Sequence, residues 1–297
     1  MAGGQGEFLE AALEKAISRN QGGPVWRTLK SPFRLLFSKL VEKSCLWTGV
    51  TTSLMARTFW GERMRVEFPE IVSCFLYRYG YFEPDLTKIV MRHIKPGDVF
   101  IDVGTHFGYY SMLASKLVGA NGQVHSFEPT SHTYEVAMSN LSKKSNVKLN
   151  NFAVWREKCS LVFKDYGRTM SAFNSLYGAK LEENDLKGLL PTEYDVQATT
   201  IDDYTTLLGI TPNFIKIDAE NAEYDILVGM SATLENCRPI VTLEVGDVNQ
   251  GPFKNSAASV NLLIDFGYKA YEQKGDTLVE HVASDVYKHT NLVFLPN

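Results

Sequence analysis

The chain has 297 residues, 44% of them hydrophobic and 22% charged, a globular composition with length for one large domain and an appendage. Its net charge of −4 and pI near 5.9 disfavour a general electrostatic grip on nucleic acid, which is not an expected partner. No apolar run approaches the ~20 residues that span a bilayer, no signal peptide is evident, and Ala2 rules out N-myristoylation. Cys45, Cys74, Cys159 and Cys237 lack metal spacing and read as reduced, buried thiols of a cytoplasmic protein.

Residues 1–83 read as a helical, basic extension. "EFLEAALEKAISRN" is a weak amphipathic helix. Residues 25–65 are basic, with eight Arg or Lys against Glu42 and Glu62. Within them "PFRLLFSKLVEK" places Phe33, Leu36, Phe37 and Leu40 on one helical face. Packing of that face over the main domain is the favoured reading, and peripheral contact with a membrane or partner is the alternative. The aromatic clusters Phe59–Met64 and Tyr77–Phe82 read as core or as one wall of a binding site. The segment beginning at Phe68 reads as a strand pair, and "EPDLTKIVMRHI" as a helix with an acidic start and a basic end.

From residue 84 to 297 strands and helices alternate, which argues an α/β domain with a doubly wound, parallel sheet. "VFIDV" is a buried strand, followed by a turn between Gly104 and Gly108 and then by the helix "YYSMLASKL". Such a turn presents free backbone N–H groups and the positive end of a helix to a ligand. "VHSF" is the next strand and ends at Glu128-Pro129. Ser131 is the expected N-cap of the following helix, with Glu135 near the capping-box position. "VKLNNFAV" is a third strand and "CSLVFKDYG" starts a hairpin. Residues 166–194 break the rhythm and read as a lid or acceptor wall, or as a plain excursion. "DVQATTIDDYTTLL" is a strand running into a helix, "FIKID" a strand with acids at its end, "AEYDILVGMSATLEN" one helix, and "IVTLEV" a strand. A helix and two further strands complete the chain.

Ligands of an open α/β sheet bind at the carboxyl ends of its strands. Those ends carry Asp102 with the glycine turn, Glu128, Asn150 with Asn151, Asp218 with Glu220, and Glu244 with Asp247. Glu128 follows the glycine turn by about 20 residues, the spacing of an acid that accepts both hydroxyls of a ribose. The turn is not a dinucleotide fingerprint, because His106 occupies the position of the second glycine. An NAD-dependent oxidoreductase is therefore disfavoured.

"FIDVGTHFGYYSMLAS", "VHSFEPT", "NNFAVW", "FIKIDAENAEYDILVGM" and "IVTLEV" resemble, in order and spacing, the FkbM family of S-adenosylmethionine-dependent methyltransferases. "KIDAENAE" is the most specific piece and resembles the family's "KIDVEGAE". The resemblance implies a Rossmann-like class I methyltransferase fold, a mostly parallel seven-stranded sheet with an antiparallel last strand. It implies S-adenosyl-L-methionine as cofactor and a small-molecule or glycan acceptor. It places Asp102, Gly104, Thr105, His106, Gly108, Glu128, Pro129, Asn151, Phe152 and Asp218 around the cofactor. Two departures are His106, where the family often has Asn, and Asn221, where it usually has Gly.

Transfer to a hydroxyl needs a general base, and His106, Asp218, Glu220 and Glu244 are the candidates. His106 titrates nearest neutral pH, and a structural loop histidine is its alternative role. His125, inside a strand, reads as structural. Asp218, Glu244 and Asp247 are able to hold Mg²⁺, but the resemblance does not imply a metal and none is assigned. O-methylation is the leading activity. N-methylation of an amide and a non-catalytic, cofactor-binding scaffold are the alternatives.

Overall fold

The computed structural model describes residues 3–23, 30–177, 190–247 and 256–297. The chain forms two compact units, residues 1–92 with 168–172, and residues 93–167 with 173–297. The boundary expected after residue 83 thus lies inside the first unit. Side-chain pairs link the two segments. Helix α4 (Pro84–His93) joins helix α1 (Gly3–Asn20) through Lys88–Glu14, at 2.6 Å, and Arg92–Glu10, at 2.8 Å.

The first unit also contains α2 (Pro32–Thr48), a hairpin of β1 (Thr52–Arg57) and β2 (Arg63–Phe68), and α3 (Ile71–Tyr79). The strand pair therefore precedes Pro69, and the segment expected to be strands is the helix α3. The buried Glu70 carboxylate decides this: it accepts the N–H groups of Val72 and Ser73 at 2.8 and 2.6 Å and caps that helix. Burial raises Glu70 to about 7. The aromatic clusters are core of this unit, with Phe75 packed edge-on against Tyr79, Tyr81 and Phe82, and Phe68 against Tyr77. Helix α2 buries Leu35, Ser38 and Cys45, whereas the apolar face named from the sequence is exposed. Spacing reveals which residues share a face but not which face meets the protein.

The second unit is an α/β fold built on an eight-stranded sheet. Its strands are β3 (Val99–Val103), β4 (Gln123–Phe127), β5 (Val147–Asn150), β9 (Phe214–Ile217), β10 (Ile240–Val245), β11 (Tyr268–Lys274), β12 (Thr277–Glu280) and β13 (Thr290–Pro296). Their spatial order is β12-β11-β13-β10-β9-β3-β4-β5. Strands β10, β9, β3, β4 and β5 are parallel, and the last strand, β13, runs antiparallel between β10 and β11. The strand beyond the expected seven is β12, a hairpin partner of β11.

"VKLNNFAV" is broken at Asn151-Phe152. Its second part, β6 (Ala153–Val154), joins β7 (Cys159–Asp165) and β8 (Thr192–Thr199) in a separate three-stranded sheet. Helices α5 (Tyr109–Val118), α6 (Ser131–Leu141), α7 (Ile201–Leu208) and α10 (Ser256–Asp265) lie where the pattern placed them. The N-cap of α6 is Thr130 rather than Ser131 and makes no side-chain cap bond. The single helix expected after β9 is two, α8 (Glu223–Val228) and α9 (Ser231–Asn236), parted at Gly229. A Cβ on Gly229 would lie 2.2 Å from the Trp155 carbonyl oxygen, so close backbone approach excludes a larger residue there.

Candidate active site

From β3 the chain moves outward through β4 and β5, then returns to the other flank of β3 as β9. That reversal opens a crevice at the carboxyl ends of β3 and β9. Val103 pairs with Ile217, so Gly104 and Asp218 are the first residues past the paired strands. Gly104 has φ +76°, and a Cβ there would lie 1.8 Å from the Asp218 carbonyl oxygen. The glycine is required where the two strand ends nearly touch.

The N–H groups of Gly104, Thr105, His106 and Gly108 are not free, contrary to the expectation. Those of Gly104 and Thr105 both donate to the Phe127 carbonyl, at 3.2 and 3.0 Å, and that of Gly108 donates to Thr105. The His106 N–H donates to Oε2 of Glu128 at 3.0 Å. The Asn140 side-chain amide donates to the Phe107 carbonyl at 2.9 Å. Strand β4 and helix α6 thus hold the turn in shape before any ligand arrives.

Glu128 is 6% exposed. Its Oε1 accepts the Thr130 N–H at 3.0 Å, and the Thr130 side chain adds a hydrogen bond to the same carboxylate. Burial outweighs those bonds and lifts the carboxyl to about 7. An ionised carboxylate has about four lone-pair sites, so these three donors leave room for a further hydroxyl. Asn151 donates to the carbonyls of Glu128 and Pro129, at 2.9 and 3.2 Å, tying the ends of β4 and β5. Phe152 packs its ring against Phe127 and Tyr204.

Asp102 and Thr105 lie under the turn. The Asp102 carboxylate, with no exposed surface, accepts the hydroxyls of Thr105 and Ser111 at 2.8 and 2.6 Å. It faces Lys216 of β9, its partner in register, whose Nζ lies 3.6 Å from Asp102 and 3.2 Å from Asp218. Lys216 is 2% exposed and stands over the Tyr110 ring. Ser126, Asp102, Lys216 and Thr242 therefore form a buried polar row across β4, β3, β9 and β10. Sequence reasoning missed Lys216 in this role, although it opens the motif "KIDAENAE".

His106 has φ +50° and stacks on Phe107, with ring centroids 3.9 Å apart. Burial pushes its imidazole down to about 4, against the attraction of Asp218, so the ring is neutral at pH 7. The left-handed backbone at Glu220 and Asn221, φ +48° and +78°, turns the loop after β9. Asn tolerates this conformation better than most residues, which explains how it stands where the family pattern has Gly. Glu223, another residue the sequence reading passed over, accepts the N–H groups of Ala219 and Asn221 at 3.4 and 3.3 Å and braces the loop.

Carboxylate oxygens of Asp218, Glu220 and Glu244 lie within 4.8 Å of one another. Glu244 also meets Nδ1 of His289 at 3.4 Å. Asp247 is not in this group. Its two oxygens accept the N–H groups of Ser256 and Tyr287. His125 bonds Tyr204 and Gln123 and is structural. In the insertion, Asn174 donates to the Thr130 hydroxyl at 3.3 Å, and Tyr177 donates to Asp225 at 2.6 Å. The rest of the expected lid, 178–189, lies outside the described residues.

The family model of the methyltransferase FkbM domain matches residues 102–270, from Asp102 at the end of β3 through β11. The chain belongs to the FkbM methyltransferase family. It is a methyltransferase. No curated protein matches it. Among solved structures, the FkbM methyltransferase of Methylobacillus flagellatus is 12% identical with a TM-score of 0.43, over 74% of this chain and 52% of that one. Aeropyrum pernix fibrillarin with bound S-adenosyl-L-methionine is 12% identical with a TM-score of 0.41, over 68% of each chain. A SAM-dependent O-methyltransferase of Thermotoga maritima is 12% identical with a TM-score of 0.40, over 82% of this chain and 77% of that one. The fold of this FkbM methyltransferase rests on its own strand order, and its family on the matched segment. No described helix is long and apolar enough to cross a membrane. The four cysteines are free thiols; Cys45 and Cys74 are buried, whereas Cys159 and Cys237 are only partly so.

Proposed function

We propose that this FkbM methyltransferase methylates a hydroxyl oxygen of a small molecule, sugar or natural product. The observation that carries the reading is the gathering of His106, Asp218, Glu220 and Glu244 at the crevice beside the glycine turn. Four groups able to accept a proton suit an acceptor that must lose one.

The donor set fits S-adenosylmethionine. Glu128, buried at the end of β4 beside the glycine turn, suits the ribose hydroxyls. Asp218, at the end of β9 beside the turn from Gly104 to Gly108, suits the ammonium, with Pro129, Asn151 and Phe152 bordering the adenine. When bound, the sulfonium supplies an electrophilic methyl group. The chain's own residues orient and deprotonate. Lys216 holds Asp102 and Asp218 in place, and Asp102 fixes Thr105 and so the turn. His106 or Asp218 takes the acceptor proton, with Glu220 and Glu244 the further candidates. Alignment supplies much of the rate, because an in-line displacement gains most from proximity. The free thiols support a cytoplasmic location.

The test is transfer of labelled methyl from S-adenosylmethionine to a panel of hydroxylated sugars and natural products, with the modified atom found by NMR. O-methyl products are expected. A methylated amide nitrogen, or binding of the donor with no transfer to any acceptor, would overturn the reading.

A further inference from the structure

Helix α2 carries its largest apolar side chains on the outside. Phe33 and Trp47 are 88% and 89% exposed, Leu36 and Leu40 59% each, and Phe37 47%. The spacing Phe33, Leu36, Phe37, Leu40 and Trp47 keeps them on one face through four turns. The opposite face, with Leu35, Ser38 and Cys45, packs on the protein. Five bulky side chains in water cost apolar hydration that a monomeric surface rarely bears in one patch.

The charges of the helix are sorted in the same way. Lys39 and Lys43 are exposed along one edge of the stripe. The single acid of the helix, Glu42, is paired inward with Arg78, and Arg34 is turned onto the Tyr77 carbonyl and ring. The outward face is therefore apolar and cationic with no acid.

We propose that this face docks α2 flat on a membrane surface that carries anionic phospholipids. Three observations select this occupant. The positive edge complements lipid phosphate, and Trp47 suits the boundary between headgroup and acyl chain. Phe33 and Trp47, nearly nine-tenths exposed, have no walls beside them among the described residues, so the two ends of the stripe lie outside any groove that would receive a peptide. A second copy placed face to face would bring four lysines to one seam with no acid to neutralise them. The inference is independent of the acceptor of the methyl group.

The experiment is co-sedimentation of the full-length chain with large vesicles of phosphatidylcholine alone, or with phosphatidylglycerol added, beside size-exclusion chromatography without lipid. Binding is expected only where phosphatidylglycerol is present. The pair Leu40→Asp with Trp47→Asp should weaken it at least roughly tenfold, because insertion draws on buried apolar area. Lys39→Glu with Lys43→Glu should remove the preference for anionic vesicles. All four positions are exposed, so the melting temperature should hold and serves as the folding control. Equal binding to phosphatidylcholine alone, no binding to either vesicle, or a dimer that the Asp pair dissolves would overturn the proposal.

Discussion

The backbone N–H of His106 donates to Oε2 of Glu128 at 3.0 Å, so the acid that ends β4 also holds the glycine turn that follows β3. The two halves of the expected cofactor site are thereby one hydrogen-bonded unit. Removing the Glu128 side chain takes away a partner for the turn as well as for the ribose proposed to bind there.

The first prediction concerns that carboxyl. Burial holds Glu128 near 7, and hydroxyl donors favour its ionised form. Donor affinity should rise with pH up to about 7 and level off above it, with proton release on binding at pH 6. In the free protein the sign is opposite. Between the ordinary carboxyl value of 4.5 and about 7 the folded state holds more protons than the unfolded one, so stability should fall as pH rises. Glu128→Gln should flatten both dependences, while Glu70, also near 7, keeps part of the stability slope. Glu128→Ala should weaken binding by roughly 1.5–3 kcal/mol. Calorimetry across pH in several buffers checks these outcomes, and pH-independent affinity of the native chain would refute the assignment.

A second prediction follows from Lys216, 2% exposed between Asp102 and Asp218. Lys216→Met leaves the wholly buried Asp102 without its cation and should cost about 3–5 kcal/mol of stability. Adding Asp102→Asn should recover part of the loss, because the uncompensated charge is then gone. Denaturant titration of the two single variants and the double variant measures the coupling. Strictly additive losses would mean the pair does not interact.

Gly104 yields the third. From the sequence, Gly104→Val is expected to block the cofactor while leaving a near-native circular dichroism spectrum. The structure replaces that expectation. A Cβ would strike the Asp218 carbonyl at 1.8 Å, and φ of +76° is strained for any other residue, most of all a β-branched one. Even Gly104→Ala should separate the ends of β3 and β9, lowering the melting temperature and the yield of folded protein. An alanine variant with native stability and only weakened donor binding would restore the earlier expectation.

The α/β alternation, the glycine turn and the strand-end acids were legible because period, punctuation and charge are local properties of the chain. The use made of each group was not. Asp102 and Asp218 look alike in sequence, yet one is sealed under α5 and the other borders the crevice, a difference set by sheet register. "FIKI" reads as an apolar strand, and its lysine gains meaning only opposite Asp102. Asp247 and Glu244 both follow β10, but backbone donors from Ser256 and Tyr287 claim the first. In α2 the stripe was legible, while its outward direction depended on packing against residues distant in sequence.

The last prediction concerns the base. A histidine of ordinary pKa would give a rate rising through about 6.5. Burial lowers His106 to about 4, so a His106 base would give a rise near pH 4 and a flat profile from about 5 upward. A base that weak accepts a proton well only as the acceptor oxygen becomes bonded to carbon and its O–H turns strongly acidic. The neighbouring Asp218 favours the protonated ring and so assists the transfer. His106→Ala should therefore lower the rate roughly 10²-fold at saturating donor, within the range for a lost acid–base group. It should disturb donor affinity less than Glu128→Ala, because only the main-chain N–H of His106 meets Glu128. Asp218→Asn should lower the rate as well, and His106→Ala should shift whatever pH dependence remains. Rate profiles of the native chain and both single variants, with donor saturating, decide the matter. Native rates for both across the whole range would move the proton to Glu220 or Glu244, whose carboxylates complete the cluster with Asp218.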